Sequence, residues 1–207
     1  PVTMADMLHH VRAVTRARPA ALVVADMPFL SFQTGVEDAV RNAGRFVQEA
    51  GADAVKLEGG ERVAAAVRRI VEAGIPVMGH LGLTPQSVLV FGGYRVQGRA
   101  EADRERLLRE ARLLEACGCF AVVLEGIPAS LGAAASRELS IPTIGIGAGP
   151  GCDGQVLVSH DLLGLTQGHV PKFVRRYADV AGTVRDAFAR YVADVKARRF
   201  PADEESY

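Results

Sequence analysis

The 207-residue chain has no tryptophan, only three cysteines, 6% aromatic residues and no excess of either charge, Lys+Arg and Asp+Glu both standing at 24. Each shortage excludes something. A balanced charge leaves no electrostatic footprint for nucleic acid or for an anionic membrane surface. No apolar run reaches the roughly 20 residues that cross a bilayer. The start, Pro1-Val-Thr-Met-Ala-Asp6, has neither a basic n-region nor an apolar h-region, so no signal peptide is expected. Cys117, Cys119 and Cys152 are odd in number and lack CxxC spacing, which argues against a disulfide framework or a zinc site. A reducing cytoplasm is the expected location, and one domain over residues 1–207 the expected organisation.

The chain alternates short apolar runs with amphipathic segments. Val36, Val40, Ala43, Val47 and Ala50 recur at helical spacing, as do Val63, Val67, Ile70 and Val71, then Leu107, Leu108, Ala111 and Leu114. Val180, Val184, Phe188, Tyr191, Val192 and Val195 predict a longer helix near the C-terminus. Six runs read as strands: Leu22–Asp26, Ala54–Glu58, Pro76–His80, Ala121–Glu125, Pro142–Gly147 and Gln155–His160. Such alternation implies βαβ units on a parallel sheet covered on both faces. A closed (β/α)8 barrel needs eight strands, so the chain reads as two βα units short of one, or else as an open doubly wound sheet.

A short repeat reinforces the βα reading. Residues 51–59 align without gaps to residues 118–126, sharing Gly, Ala, Val, Leu, Glu and Gly, and each copy follows a helix ending in Glu-Ala. A generic helix-to-strand connection would produce much of this pattern, but not the glutamate that ends each strand.

Four of the runs end at or next to an acidic residue or a histidine: Asp26, Glu58, His80 and Glu125. In parallel α/β folds ligands bind at the carboxyl ends of strands, so these side chains are expected at one mouth. Lys56 lies two residues from Glu58 and so on the same strand face. Asp26 and Glu58 are hard oxygen donors, which together with water and a chelating substrate suit Mg²⁺; each also has a plainer use as a helix cap. A glutamate at 125 in an apolar setting suits general-base work. Lys56 could hold a substrate carboxylate, form a Schiff base, or pair with Glu58 or Asp26. His80 could orient substrate or be a hydrogen-bonded structural group. Gly145-x-Gly-x-Gly149 is followed by Pro150, so it is a tight turn or close backbone approach rather than a dinucleotide fingerprint. Residues 79–99, glycine-rich and the longest irregular stretch, are expected to wall or cover the mouth.

Gly79-His-Leu-Gly-Leu-Thr-Pro-Gln-Ser87, Phe91-Gly-Gly-Tyr-Arg-Val-Gln-Gly-Arg99, Val55-Lys-Leu-Glu-Gly-Gly60 and Ile144-Gly-Ile-Gly-Ala-Gly149 with Asp153-Gly-Gln155 closely resemble the ketopantoate hydroxymethyltransferase family, over a span from Pro1 to Ser206. The resemblance implies an α/β fold, a (β/α)8 TIM barrel of the phosphoenolpyruvate mutase/isocitrate lyase type. It implies transfer of a hydroxymethyl group from 5,10-methylenetetrahydrofolate to 3-methyl-2-oxobutanoate, giving 2-dehydropantoate in pantothenate biosynthesis. It implies Mg²⁺ and a homo-oligomer, a decamer in the family. By resemblance Asp26 is a metal and substrate contact, Lys56 binds substrate, Glu58 is metal-associated, Glu125 is the proton acceptor and His80 supports them. Family members carry an upstream segment with two strands and a Gly-Asp-Ser motif that this chain does not contain. Two rivals stand beside this reading: another Mg²⁺-dependent C–C lyase of the same barrel group, and a non-catalytic truncated barrel subunit.

Overall fold

A computed structural model describes residues 2–207, which divide into two compact units, one running to Val156 and one spanning Leu157–Tyr207. No helix among the described residues is long and apolar enough to cross a membrane.

The first unit is a six-stranded parallel sheet in strictly sequential order: β1 (Val24–Asp26), β2 (Ala54–Glu58), β3 (Val77–Gly82), β4 (Ala121–Glu125), β5 (Thr143–Ile146) and β6 (Gly154–Gln155). A doubly wound sheet reverses its strand order at a switch point. This one never does, which rules out that alternative. Because βαβ crossovers are right-handed, steady progression in one direction keeps the connecting helices on one face. They are α1 (Met4–Arg16), α2 (Val36–Ala50), α3 (Ala64–Glu72), the short α4 (Val88–Phe91), α5 (Glu101–Ala116) and α6 (Ala129–Glu138). Apart from α4 they pack in sequence, α1 on α2, α2 on α3, α3 on α5 and α5 on α6.

Period-two alternation then sorts the strands. Val55, Leu57, Val77, Leu81, Val122 and Leu124 point toward the helices and join Phe46, Val67, Ile70, Leu107, Leu114 and Leu131 in one buried core. Lys56, Glu58, His80 and Glu125 occupy the other face. The predicted stripes on α3 and α5 match this core. On α2 the buried face is Ala39, Ala43, Phe46 and Ala50, turned slightly from the valine stripe, and Val47 is exposed. Helix α1 is not anticipated by apolar spacing, since only Leu8 and Val11 are buried; it starts at a capping box in which the Thr3 hydroxyl accepts from Asp6 N and Thr3 N donates to Asp6 Oδ2.

The repeat has a backbone cause. Gly51 and Gly118 end α2 and α5 in left-handed conformation, φ 70° and 94°, and turn the chain straight into β2 and β4. The helix-to-strand connection and the strand-end glutamate are therefore one unit used twice.

The sixth strand is shorter than expected. Only Gly154 and Gln155 pair, with Ile144 and Gly145 of β5; Val156 and Val158 are exposed and residues Ser159–Leu162 form a helical turn, α7. A β-prone run becomes a strand only where a neighbour supplies a ladder, and β6 has none on its outer side. The connection from β5 is also short for a parallel crossover, with no helix between Ile146 and Gly154. Residues 79–99 are more ordered than expected: β3 continues to Gly82, Pro85–Ser87 form a 3₁₀ turn, and α4 follows.

The second unit contains α7 and α8 (Val180–Lys196), the latter capped by Asp179 accepting from Gly182 N at 3.0 Å. The predicted stripe is present, but Val184, Phe188, Tyr191, Val192 and Val195 are exposed and only Gly182 of α8 is buried.

Two glycine substitutions are expected to move stability in opposite directions in chemical denaturation. Gly118→Ala, at φ 94° with a Cβ 2.9 Å from Val71 Cγ1, should cost about 1–3 kcal/mol. Gly44→Ala, mid-α2 with open space around its Cβ, should gain about 0.5–1 kcal/mol.

Candidate active site

The strand register assembles the predicted residues. Asp26 lies opposite Lys56, Glu58 opposite His80, and Gly82 opposite Glu125. Four adjacent strand ends thus present three carboxylates, one lysine and one imidazole.

They form a continuous chain of contacts. Lys56 Nζ is 2.7 Å from Asp26 Oδ1 and 3.3 Å from His80 Nδ1. His80 Nε2 is 3.2 Å from Glu125 Oε2, and its Nδ1 is 3.9 Å from Glu58 Oε1. An ammonium only donates, so His80 Nδ1 is the accepting nitrogen and Nε2 carries the hydrogen toward Glu125. Burial holds the His80 pKa below its usual range, the Glu125 contact opposing and the Lys56 charge assisting. Burial thus favours the neutral imidazole, which is 3% exposed.

The Glu58 carboxyl is pushed up to about 7, chiefly by burial; the Gln86 N–H and Lys56 pull it down, and the Asp26 and Glu125 charges push it up. Gln86 N donates to Glu58 Oε2 at 2.9 Å. Asp26 Oδ1 is shut off from solvent yet has no hydrogen bond of proper angle, its Lys56 contact being an ion pair only; His80 Nε2 is likewise poorly aligned on Glu125. Gly82 is essential to the packing here. Its φ is 92°, and a Cβ would stand 2.2 Å from the Glu125 carbonyl oxygen.

The capping alternative fails for all three carboxylates. The helical segments that follow them begin at Gly35, Gly60 and Pro128, none with a side-chain cap. The plainer expectation for Lys56, a salt bridge to Asp26, is what the structure contains. Cys117 and Cys119 are buried at the amino end of β4, the end opposite the acidic cluster, where burial pushes the Cys119 thiol up to about 12.

The residues fit a hard divalent cation in part. No group of three His, Cys, Asp or Glu that could hold a metal occurs among the described residues. Asp26 and Glu58 nevertheless offer two carboxylates, one with a buried oxygen lacking a hydrogen bond and one whose pKa burial pushes up to about 7. A cation would relieve both, and Mg²⁺ typically takes only one or two protein carboxylates, keeping water and substrate oxygens for the rest.

Gln86 is the site residue that spacing misses. It lies in a turn with no apolar period, and only the Thr84-Pro-Gln-Ser87 motif marks it.

Residues 1–203 match the family described as ketopantoate hydroxymethyltransferase. The 3-methyl-2-oxobutanoate hydroxymethyltransferase of Geobacter metallireducens is 58% identical over 207 residues, covering 100% of this chain and 78% of that protein. The enzyme of the same name from Moorella thermoacetica is 59% identical, covering 100% and 77%. Among solved structures, phosphonopyruvate hydrolase superposes with a TM-score of 0.57 at 15% identity, covering 99% of this chain and 73% of that one. A 2,3-dimethylmalate lyase, described as a PEP mutase/isocitrate lyase superfamily member, gives 0.51 at 15%, covering 100% and 70%. At such identities the two structures speak to the fold alone, an α/β fold with a parallel sheet. The family match and the relatives, each spanning nearly all or all of the sequence, place this chain in the ketopantoate hydroxymethyltransferase family.

Proposed function

We propose that this chain catalyses transfer of a hydroxymethyl group from 5,10-methylenetetrahydrofolate to 3-methyl-2-oxobutanoate, giving 2-dehydropantoate. The observation that carries the reading is the pairing of Glu125 with buried, neutral His80 beside the Asp26–Glu58 pair. One half of that arrangement suits proton removal and the other suits a hard cation.

In this reading Asp26 and Glu58 hold Mg²⁺, which when bound supplies Lewis-acid stabilisation of negative charge on the keto oxygen of the oxo acid. Lys56 meets the substrate with its positive charge. Glu125 accepts the C3 proton, and His80 fixes the carboxylate through its Nε2–H. The electron pair left by that proton makes C3 a nucleophile. The methylene carbon exchanges its two bonds to folate nitrogens for one bond to C3 and one to the oxygen of water; the proton taken from C3 and one proton of the water pass to the two nitrogens, releasing tetrahydrofolate.

The reading also takes the six strands as part of a single (β/α)8 barrel domain, closed by two further βα units, and the active enzyme as a homo-oligomer. The open outer edge of β1 supports closure. A groove of about 400 Å³ runs along it, lined by Met7, Val14, Leu22, Val24 and Asp26. A strand added there would extend the ladder and cover Asp26.

The first test is loss of the C3–H signal of 3-methyl-2-oxobutanoate in D₂O by NMR, with Mg²⁺ and no folate. Metal-dependent exchange is expected. Glu125→Gln should slow it by about 10²–10⁴-fold, the usual range for a general base, while oxo-acid and metal binding persist. Normal exchange in that variant would remove Glu125 from the role.

Glu58 generates a pH prediction. Its folded pKa of about 7 exceeds its unfolded value near 4.5. The folded state therefore binds the extra proton, and stability of the metal-free protein should fall as pH rises from 4.5 through 7. The loss should be at most about 3 kcal/mol. Glu58→Gln should flatten that slope in urea titrations and weaken divalent-cation binding at pH 8. A slope unchanged by the substitution would show that Glu58 is not its source.

A further inference from the structure

Resting on that reading, we infer that Gln86 is a positioning residue that sets the spacing of the two metal-side carboxylates.

Gln86 is tied to the carboxyl ends of both strands that carry them, once through its backbone and once through its side chain. Its backbone N–H donates to Glu58 Oε2 at 2.9 Å. Its side-chain Nε2 donates to the carbonyl of Met27, the residue after Asp26, at 2.8 Å. Its Oε1 accepts from Gln33 Nε2 at 3.0 Å, which leaves the amide only one orientation in which both contacts are donor-to-acceptor. Met27 is itself pinned, its N–H donating to the Lys56 carbonyl at 3.0 Å and its side chain fully buried. Thus one side of the tie is fixed to β2, and the other side holds the Glu58 carboxylate.

The turn that carries Gln86 is short and stiff. Pro85 precedes it in the 3₁₀ turn Pro85–Ser87, and Ser87 N donates to the Thr84 carbonyl at 2.8 Å. The segment is anchored again on both sides of Glu125, by Leu83 N to the Glu125 carbonyl at 2.7 Å and by Gln97 N to the Gly126 carbonyl at 2.9 Å. With both flanks held, the Gln86 side chain decides where its own N–H stands over Glu58. Removing the Met27 tie frees the turn, and with it the Glu58 carboxylate, to shift relative to Asp26. Gln86 need not touch metal or substrate to do this; it acts through Glu58 and Met27.

The test titrates Mn²⁺ alone into the full chain by calorimetry, comparing the parent protein with Gln86→Met, which keeps the shape and loses the donor. A 10- to 100-fold weaker Kd is expected, the usual effect of losing a partner that orients a metal ligand, with an unchanged thermal midpoint. C3–H exchange should be slow at limiting Mn²⁺ and return to the parent rate at saturation, which a simple loss of structure would not do. Should Gln86→Met lower the thermal midpoint, Gln33→Met is the second variant. It leaves Gln86 in place, removes only the group that orients its amide, and should weaken Mn²⁺ binding several-fold. Mn²⁺ binding within twofold of the parent in the folded variants overturns the role of Gln86 while leaving the proposed function intact. Failure of the parent chain to bind Mn²⁺ overturns both.

Discussion

Three carboxylates share one end of a parallel sheet with a single lysine, and most of what is distinctive in this molecule answers that imbalance. Asp26, Glu58 and Glu125 sit on β1, β2 and β4 around Lys56 and His80. With Glu58 and Glu125 withdrawn from water and Asp26 beside them, that much negative charge near one positive charge is not stable as such. The protein meets the problem three ways. Asp26 takes the lysine at 2.7 Å. Glu125 takes a neutral imidazole that can donate one hydrogen bond. Glu58, 5% exposed at its side chain, takes the Gln86 N–H and is left with its pKa near 7. Of the three answers the last is the weakest, which makes Glu58 the group with most to gain from an added cation.

The sheet is what forces these groups together. Sequential parallel strands with right-handed crossovers put the long helices of the first unit on one face and leave the other to the strand-end side chains. Period two then does the sorting. Lys56 and Glu58 must share a face with each other, and parallel register carries that face across to His80. This is why the cluster was legible in the chain. The residue types at the ends of the apolar runs, together with alternation along each run, suffice to place Asp26, Lys56, Glu58, His80 and Glu125 once the runs are known to be parallel neighbours.

What was not legible has a common cause. Gln86 acts through its backbone N–H and through an amide reaching Met27 in another loop, 59 positions away in sequence. Nothing in local spacing encodes that contact. The Gln155–His160 run looks like a strand by composition, but strand formation is decided by the neighbour, and of its residues only Gln155 is on a ladder. The α8 stripe was read correctly as a helix, yet its apolar face is exposed, because periodicity reports which face wants burial and not what buries it. Local signals predicted local structure; long-range partners were visible only where a strand ladder made them regular.

The Lys56–Asp26 and His80–Glu125 contacts of the site differ in a way that bears on their uses. The Asp26 side chain is 46% exposed, so its pairing with Lys56 resembles a surface salt bridge, of the kind worth only about 0–1 kcal/mol. Lys56 can exchange Asp26 for an incoming carboxylate at little cost, and Asp26 can then turn its otherwise orphaned oxygen to a cation. His80 and Glu125 are 3% and 15% exposed at their side chains, so little water can reach their contact to replace it. One pair is therefore exchangeable and the other fixed. That division matches the two tasks of the proposed reaction: capturing a chelating oxo acid requires partners that can be swapped, whereas removing a proton at a defined carbon requires a carboxylate that does not move.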